Sequence, residues 1–202
     1  MTIELYLVFV LASILLAVTP GPNIALIVGT SLGHGMRGGL MTVAGVNIGL
    51  VLQVTAVAAG LSWLVELFRQ HFDLIRYIGA AYLVFLGVQQ LLAKTKSENG
   101  EVRVLRGDRA FARGLAVAFA NPKTLIFYAA FLPQFLPQGD TGAALWLLAA
   151  TVACIAAVSD TLYAVFAARA RAALSSRVQR IANRVSGVIL LGGAGVLLAA
   201  RR

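Results

Sequence analysis

The chain of 202 residues is 59% hydrophobic and only 12% charged, with a mean hydropathy of +0.85. A soluble domain carries about 25% charged residues, so the composition excludes one and indicates an all-α membrane protein with several spans. The net charge of +9 does not indicate a nucleic-acid partner. The cations lie in links between apolar runs, with no basic patch interleaved with aromatics.

The first residues, Met1-Thr2-Ile3-Glu4, carry an acid and lack a basic n-region, so the first helix is read as retained rather than cleaved. The first span, Leu5 to Leu32, is interrupted by Thr19-Pro20-Gly21-Pro22-Asn23. Neither flank reaches the ~20 residues that cross a bilayer, whereas the two together exceed it. Proline removes a backbone donor and clashes with the preceding turn. In hydrocarbon the freed carbonyls are tolerated only against protein or a water-filled cavity. The break therefore marks a candidate binding site.

The glycine-rich turn 33–38 leads to a second span, Gly39 to Val65, which holds Asn47 and Gln53. A polar link from Glu66 to Arg76 precedes the third span, Tyr77 to Ala93. The basic loop Lys94 to Arg113 is the longest link. The fourth span, Gly114 to Leu136, contains Asn121-Pro122-Lys123. A turn at Pro137-Gln138-Gly139-Asp140 leads to the fifth span, Thr141 to Ala168, which contains Asp160. A basic link, Arg169 to Arg184, precedes the sixth span, Val185 to Ala200. The third and sixth are short for a bilayer, with flanking cations able to snorkel.

Twelve cations fall on the side of the turn at Arg37, the loop 94–113 and the link 169–184, against four on the other side. The positive-inside bias puts the first set in the cytoplasm and both termini outside, with Arg201-Arg202 against the trend. The halves resemble each other. Arg76, Gly79 and Gly87 match Arg184, Gly187 and Gly195 at an offset of 108, and Pro22 matches Pro122 at an offset of 100. The expected architecture is thus six transmembrane helices as two inverted three-helix repeats, residues 1–93 and 114–202 around the loop 94–113. Helices 1 and 4 are broken near the midplane, a plan shared by many secondary transporters.

Lys123 and Asp160 are the charged residues well inside spans. Such ions are costly in a membrane and either pair or serve function. Asn23, Asn47 and Asp160 each lie nine residues from the cytoplasmic end of their span, and Lys123 lies ten. At ~1.5 Å per residue that is roughly 13–15 Å, about the middle of a ~30 Å core. Four helices thus place their most polar residue in one plane, as a transport pathway requires. A structural Lys123–Asp160 pair, with two amides holding helices together, is the alternative. Gln53 suits either role, and Ser159, Thr161 and Tyr163 stand where they can orient Asp160. Gly45 and Gly49 signal close helix packing.

No nucleophile elbow, zincin motif or phosphate loop occurs, so an enzyme is not expected. No cofactor or metal is expected either: His34 and His71 fall in loops on opposite sides, and the single cysteine, Cys154, lies in an apolar run. Without a nucleotide site, uphill transport would be coupled to an ion, and Asp160 is the acid placed to carry a proton.

These motifs resemble the LysE/RhtB family of bacterial amino-acid exporters over essentially the whole chain. Thr19-Pro20-Gly21-Pro22-Asn23 is similar to its first-helix motif, and Gly79-Ala80-Ala81-Tyr82-Leu83 with Leu86-Gly87 to its third-helix pattern. Asn121-Pro122-Lys123 with Phe131-Leu132-Pro133-Gln134-Phe135 is similar to the fourth, and Ser159-Asp160 with Tyr163 to the fifth. The resemblance implies an inner-membrane exporter of amino acids or their derivatives, driven by proton exchange, and allows a homodimer. It leaves open homoserine, threonine, leucine or lysine as the substrate. In the expected site the substrate carboxylate meets the helix start near Asn23, with Lys123 nearby, and the ammonium faces Asp160 and the carbonyls before Pro20. With no second intramembrane acid, a neutral substrate is favoured over a basic one. A channel, or a transporter of another small solute or ion, is the alternative.

Overall fold

The computed structural model of the protein describes residues 2–58, 72–92, 106–121, 123–124, 127, 135, 143–173 and 176–199. The link from Glu66 to His71, most of the basic loop, Pro122, the turn at Pro137–Asp140 and Arg201-Arg202 lie outside the described residues.

The described residues form six helices, with non-helical backbone at 19–21 and at Asn121. Helix α1 (Ile3–Val18) is capped by the Thr2 hydroxyl, which accepts from the Leu5 amide at 3.4 Å, and carries Glu4 in its first turn. Both favour the positive end of a helix dipole. It stops at Val18 because a residue before proline is steered to extended backbone, and Thr19 has φ −73° and ψ 123°. Helix α2 (Pro22–Ala58) starts on a proline, whose fixed φ and missing donor suit the first helical position. Gly35, at φ 78° and ψ −173°, divides α2 into two halves, 22–34 and 36–58. A side chain there would be strained, and its Cβ would lie 3.0 Å from Arg171 Nη1.

Helices α3 (Phe72–Leu91), α4 (Gly107–Ala120), α5 (Ala143–Ala173) and α6 (Ser176–Ala199) complete the fold. Helix α4 ends in extended backbone at Asn121, and helical geometry resumes at Lys123 and Thr124. The stretch Arg169 to Arg184, expected as a link, is helical where described: α5 runs to Ala173 and α6 begins at Ser176. The charges of α6 occupy one face of that helix. Arg177, Arg180 and Arg184 are exposed, while Gln179, Asn183 and Ser186 are buried on the opposite side at helical spacing. The Gln179 side-chain amide donates to the Arg171 carbonyl at 2.8 Å and closes the end of α5. The sixth helix is therefore long enough to cross a membrane, as are α2 by length and composition and α5, whereas α1 and the apolar part of α3 are shorter.

Helix α2 is the centre of the packing, lying against α4 and α5, with α3 against α6. The α2–α4 crossing brings backbones into contact. A Cβ on Gly45 would collide with the Phe111 carbonyl oxygen, and one on Gly114 with that of Thr42. One core joins Phe9 to Ile27, Val46, Leu50, Leu148 and Val152, with Phe9 edge-on to Phe135 at a centroid distance of 5.2 Å. A second joins Leu26, Leu83, Leu86, Val117 and Leu190. The surface is inverted relative to a soluble protein. Ile3, Leu7, Leu11, Leu15, Val158 and Phe166 face outward, while Asn23, Asn121, Ser159 and Asp160 are buried. Apolar exposure on this scale fits a hydrocarbon surrounding.

Candidate functional site

The unwound residues 19–21 leave the last carbonyls of α1 without helical partners. Each is met by a side chain from far along the chain, or by Thr19 itself. The Thr19 amide and hydroxyl both donate to the Leu15 carbonyl, the hydroxyl at 2.6 Å. The Lys123 ammonium donates to the carbonyls of Leu16 at 2.7 Å and Thr19 at 2.5 Å. From α5, the Ser159 hydroxyl donates to Ala17 at 3.2 Å and the Tyr163 hydroxyl to Val18 at 2.9 Å. A cation at the negative end of a helix dipole is favourable, and its charge-assisted bonds are the strong kind.

Asn121 positions the lysine. Fully buried, its side-chain oxygen accepts from the Lys123 amide at 3.0 Å, and its carbonyl accepts from the Thr124 hydroxyl at 3.1 Å. An asparagine in extended backbone thus caps the helical stretch that restarts at Lys123. Pro122, between them, lies outside the described residues.

Asp160 is 5% exposed, and its Oδ2 accepts from the Asn47 side-chain amide at 3.2 Å. That amide also donates to the Val43 carbonyl at 3.1 Å. Lys123 and Asp160 line one small cavity with Gly21, Asn23 and Asn121, without a direct ion pair between them. The cavity has about 40 Å³ of free space, room for two or three waters. Asn23 is buried with its side-chain oxygen unpartnered. The Gly21 carbonyl accepts from the Ala25 amide at 2.8 Å. The amides of Asn23 and Ile24 belong to the first turn of α2, before helical bonding begins, and both residues line the cavity.

The sequence-selected residues therefore fall into four groups. Gly21, Asn23, Asn121, Lys123 and Asp160 share the cavity, and Asn47 reaches it through Asp160. Thr19 and Pro20 form the exposed link beside it, and Pro22 starts α2. Tyr163 and Ser159 bond the carbonyls at the end of α1. Gln53 ties α2 to α4, donating to the Ala118 carbonyl at 3.0 Å. Two polar lining residues were not singled out, Ser13 and Thr124. Ser13 interrupts the apolar run Leu7–Val18 and is buried with no partner for its hydroxyl. An isolated hydroxyl on an apolar helix was the available signal.

The sequence of the LysE type translocator family matches residues 14–201. The chain belongs to that family. Its relatives include a homoserine/homoserine lactone efflux protein of Salmonella typhimurium, 34% identical over 100% of this chain and 99% of its own length. A leucine efflux protein of Salmonella choleraesuis is 31% identical over 73% of this chain and 71% of its own. No solved structure matches the chain.

Proposed function

We propose that this LysE-family translocator exports small neutral amino acids across a bacterial inner membrane, exchanging each for protons through Asp160. The observation that carries the reading is the cavity. It combines the first-turn amides of α2, the carbonyl end of α1, one cation and one acid, a set complementary to a zwitterion. The carboxylate docks at the Asn23 and Ile24 amides, where the dipole favours an anion. The relatives' named substrates, homoserine, homoserine lactone and leucine, carry no charged side chain. A single acid in the cavity leaves none for a side-chain cation. A proton arriving from outside neutralises Asp160, weakens its pull on the substrate's ammonium and biases the carrier toward its other orientation.

In this reading α1 and residues 22–34 form the first span, broken at 19–21, and residues 36–58 the second. Helix α3 is the third span, α4 with the stretch from Lys123 the broken fourth, and α5 and α6 the last two. The α3–α6 contact supports a two-fold relation between the halves. A Cβ on Gly87 would lie 3.0 Å from the Gly187 carbonyl oxygen, and one on Gly187 would lie 2.8 Å from that of Gly87. These reciprocal partners are 100 residues apart, the offset of Pro22 and Pro122 and eight fewer than the offset that aligns Gly87 with Gly195. Cation placement keeps both termini periplasmic.

The test is counterflow in proteoliposomes loaded with L-homoserine or L-leucine. Labelled amino acid should accumulate transiently, and an imposed pH gradient should drive uphill movement that a protonophore abolishes. Absence of trans-stimulation with both amino acids would sink the exporter reading; movement indifferent to the pH gradient would sink proton coupling.

A further inference from the structure

The cavity is occupied by the protein itself. Its free space of about 40 Å³ does not admit an amino acid. The Lys123 side chain runs along Gly21, its Cδ, Cε and Nζ each 3.5 Å from where a Cβ of that residue would be. A Cβ there would make only ordinary van der Waals contact, so the lysine lies flat against the backbone of this link. Its ammonium then rests on the Leu16 and Thr19 carbonyls. Those oxygens are acceptors at the negative end of a helix, and the group they hold offers three donors and a positive charge. The α-ammonium of a free amino acid has the same charge and the same donors.

We propose, building on the exporter reading, that Lys123 is a tethered stand-in for the substrate's ammonium. It holds the Leu16–Thr19 carbonyls in the empty carrier and yields them to the α-ammonium of an incoming amino acid. Withdrawing this side chain frees the volume of a butylammonium group, comparable with that of a small amino acid. The displaced ammonium pairs with the substrate's carboxylate at the Asn23 and Ile24 amides, so no ion is left without a partner at any stage. Leaving a buried charge unpaired is the costly alternative. The substrate class is narrowed accordingly. A zwitterion with free α-ammonium and α-carboxylate satisfies both exchanges. An N-acylated amino acid cannot displace the lysine, and a simple alkylammonium displaces it with nothing to receive it.

Lys123→Ala removes the tether and leaves the carbonyls open. n-Propylammonium should then bind, raising the melting temperature of the variant by several degrees at millimolar concentration while leaving the wild type unmoved. It should also compete with amino acid, weakening the binding of L-homoserine or L-leucine to the variant by about tenfold or more. An affinity unchanged or strengthened by n-propylammonium means that the substrate's ammonium binds elsewhere, and the inference falls. Lys123→Met, which keeps the bulk and takes methylammonium as the competitor, gives the same two outcomes if the alanine variant does not fold. Wild-type protein is measured first. If it binds and exports neither amino acid, the exporter reading fails and takes the inference with it; if it exports and the variants show no competition, only the inference fails.

Discussion

The Lys123 ammonium lies 2.7 Å from the carbonyl oxygen of Leu16, a residue 107 positions earlier in the chain. The contact joins the helical restart after Asn121 to the unwound end of α1, so the two backbone breaks meet through one side chain. Loss of this ammonium leaves two carbonyls without their charged donor. At about 1.5–3 kcal/mol per hydrogen bond to a charged group, Lys123→Met should lower the melting temperature in detergent by many degrees. Lys123→Arg, which keeps the charge, should recover part of the loss. Equal melting temperatures for Lys123→Met and the wild type would remove the cap from the account of stability.

Asp160→Asn keeps the size of the side chain and an oxygen for the Asn47 amide to bond. It removes the group proposed to carry the proton. Amino-acid counterflow should persist at reduced rate, whereas export driven by an imposed pH gradient should vanish. PH-driven export at the wild-type level would assign proton coupling to another group.

Ser159 and Tyr163 close the α1 carbonyls of Ala17 and Val18 from α5. Ser159→Ala and Tyr163→Phe should each destabilise the protein by about 0.5–1.5 kcal/mol, the usual net worth of one hydrogen bond at a partly exposed site. Their effects should add approximately, since each serves a different carbonyl. A null effect of both in thermal unfolding would show that water replaces them.

Gly45 and Gly114 mark the point where α2 and α4 touch backbone to backbone. Gly45→Ala or Gly114→Ala must push the helices apart, with an expected cost of about 1–3 kcal/mol or more. Gly195→Ala is the control, because nothing lies within 4 Å of its added carbon. Size-exclusion profiles and melting temperatures should separate the first two variants from the third. Indistinguishable behaviour would contradict the close crossing.

The helical class and the position of the first break were legible in the sequence, because composition and proline act locally. Thr19 to Gly21 read as unwound for the same reason that they are unwound: two prolines bracket a glycine. The convergence of Asn23, Lys123 and Asp160 on one cavity could be approached by counting residues from the helix ends. What fills the α1 carbonyls could not, since the donors arrive from residues 104 to 145 positions away. The stretch Arg169 to Arg184 misled because its arginines suggested a link. The spacing of Gln179, Asn183 and Ser186 carried the helical signal, on a buried face that is polar rather than apolar.

The fastening of α1 has a consequence for how the chain can be divided. Near its start, the Tyr6 hydroxyl bonds that of Thr151 on α5 at 2.9 Å; at its end lie the bonds from Ser159, Tyr163 and Lys123. These attachments all run to later parts of the chain, and the peptide through Pro20 adds only continuity. A gene split at that proline should therefore yield two fragments that reassemble when co-expressed, the short one recovered with the long one by affinity capture. Recovery of the long fragment alone would mean that the tether, and not the carbonyl contacts, keeps the first helix in the protein.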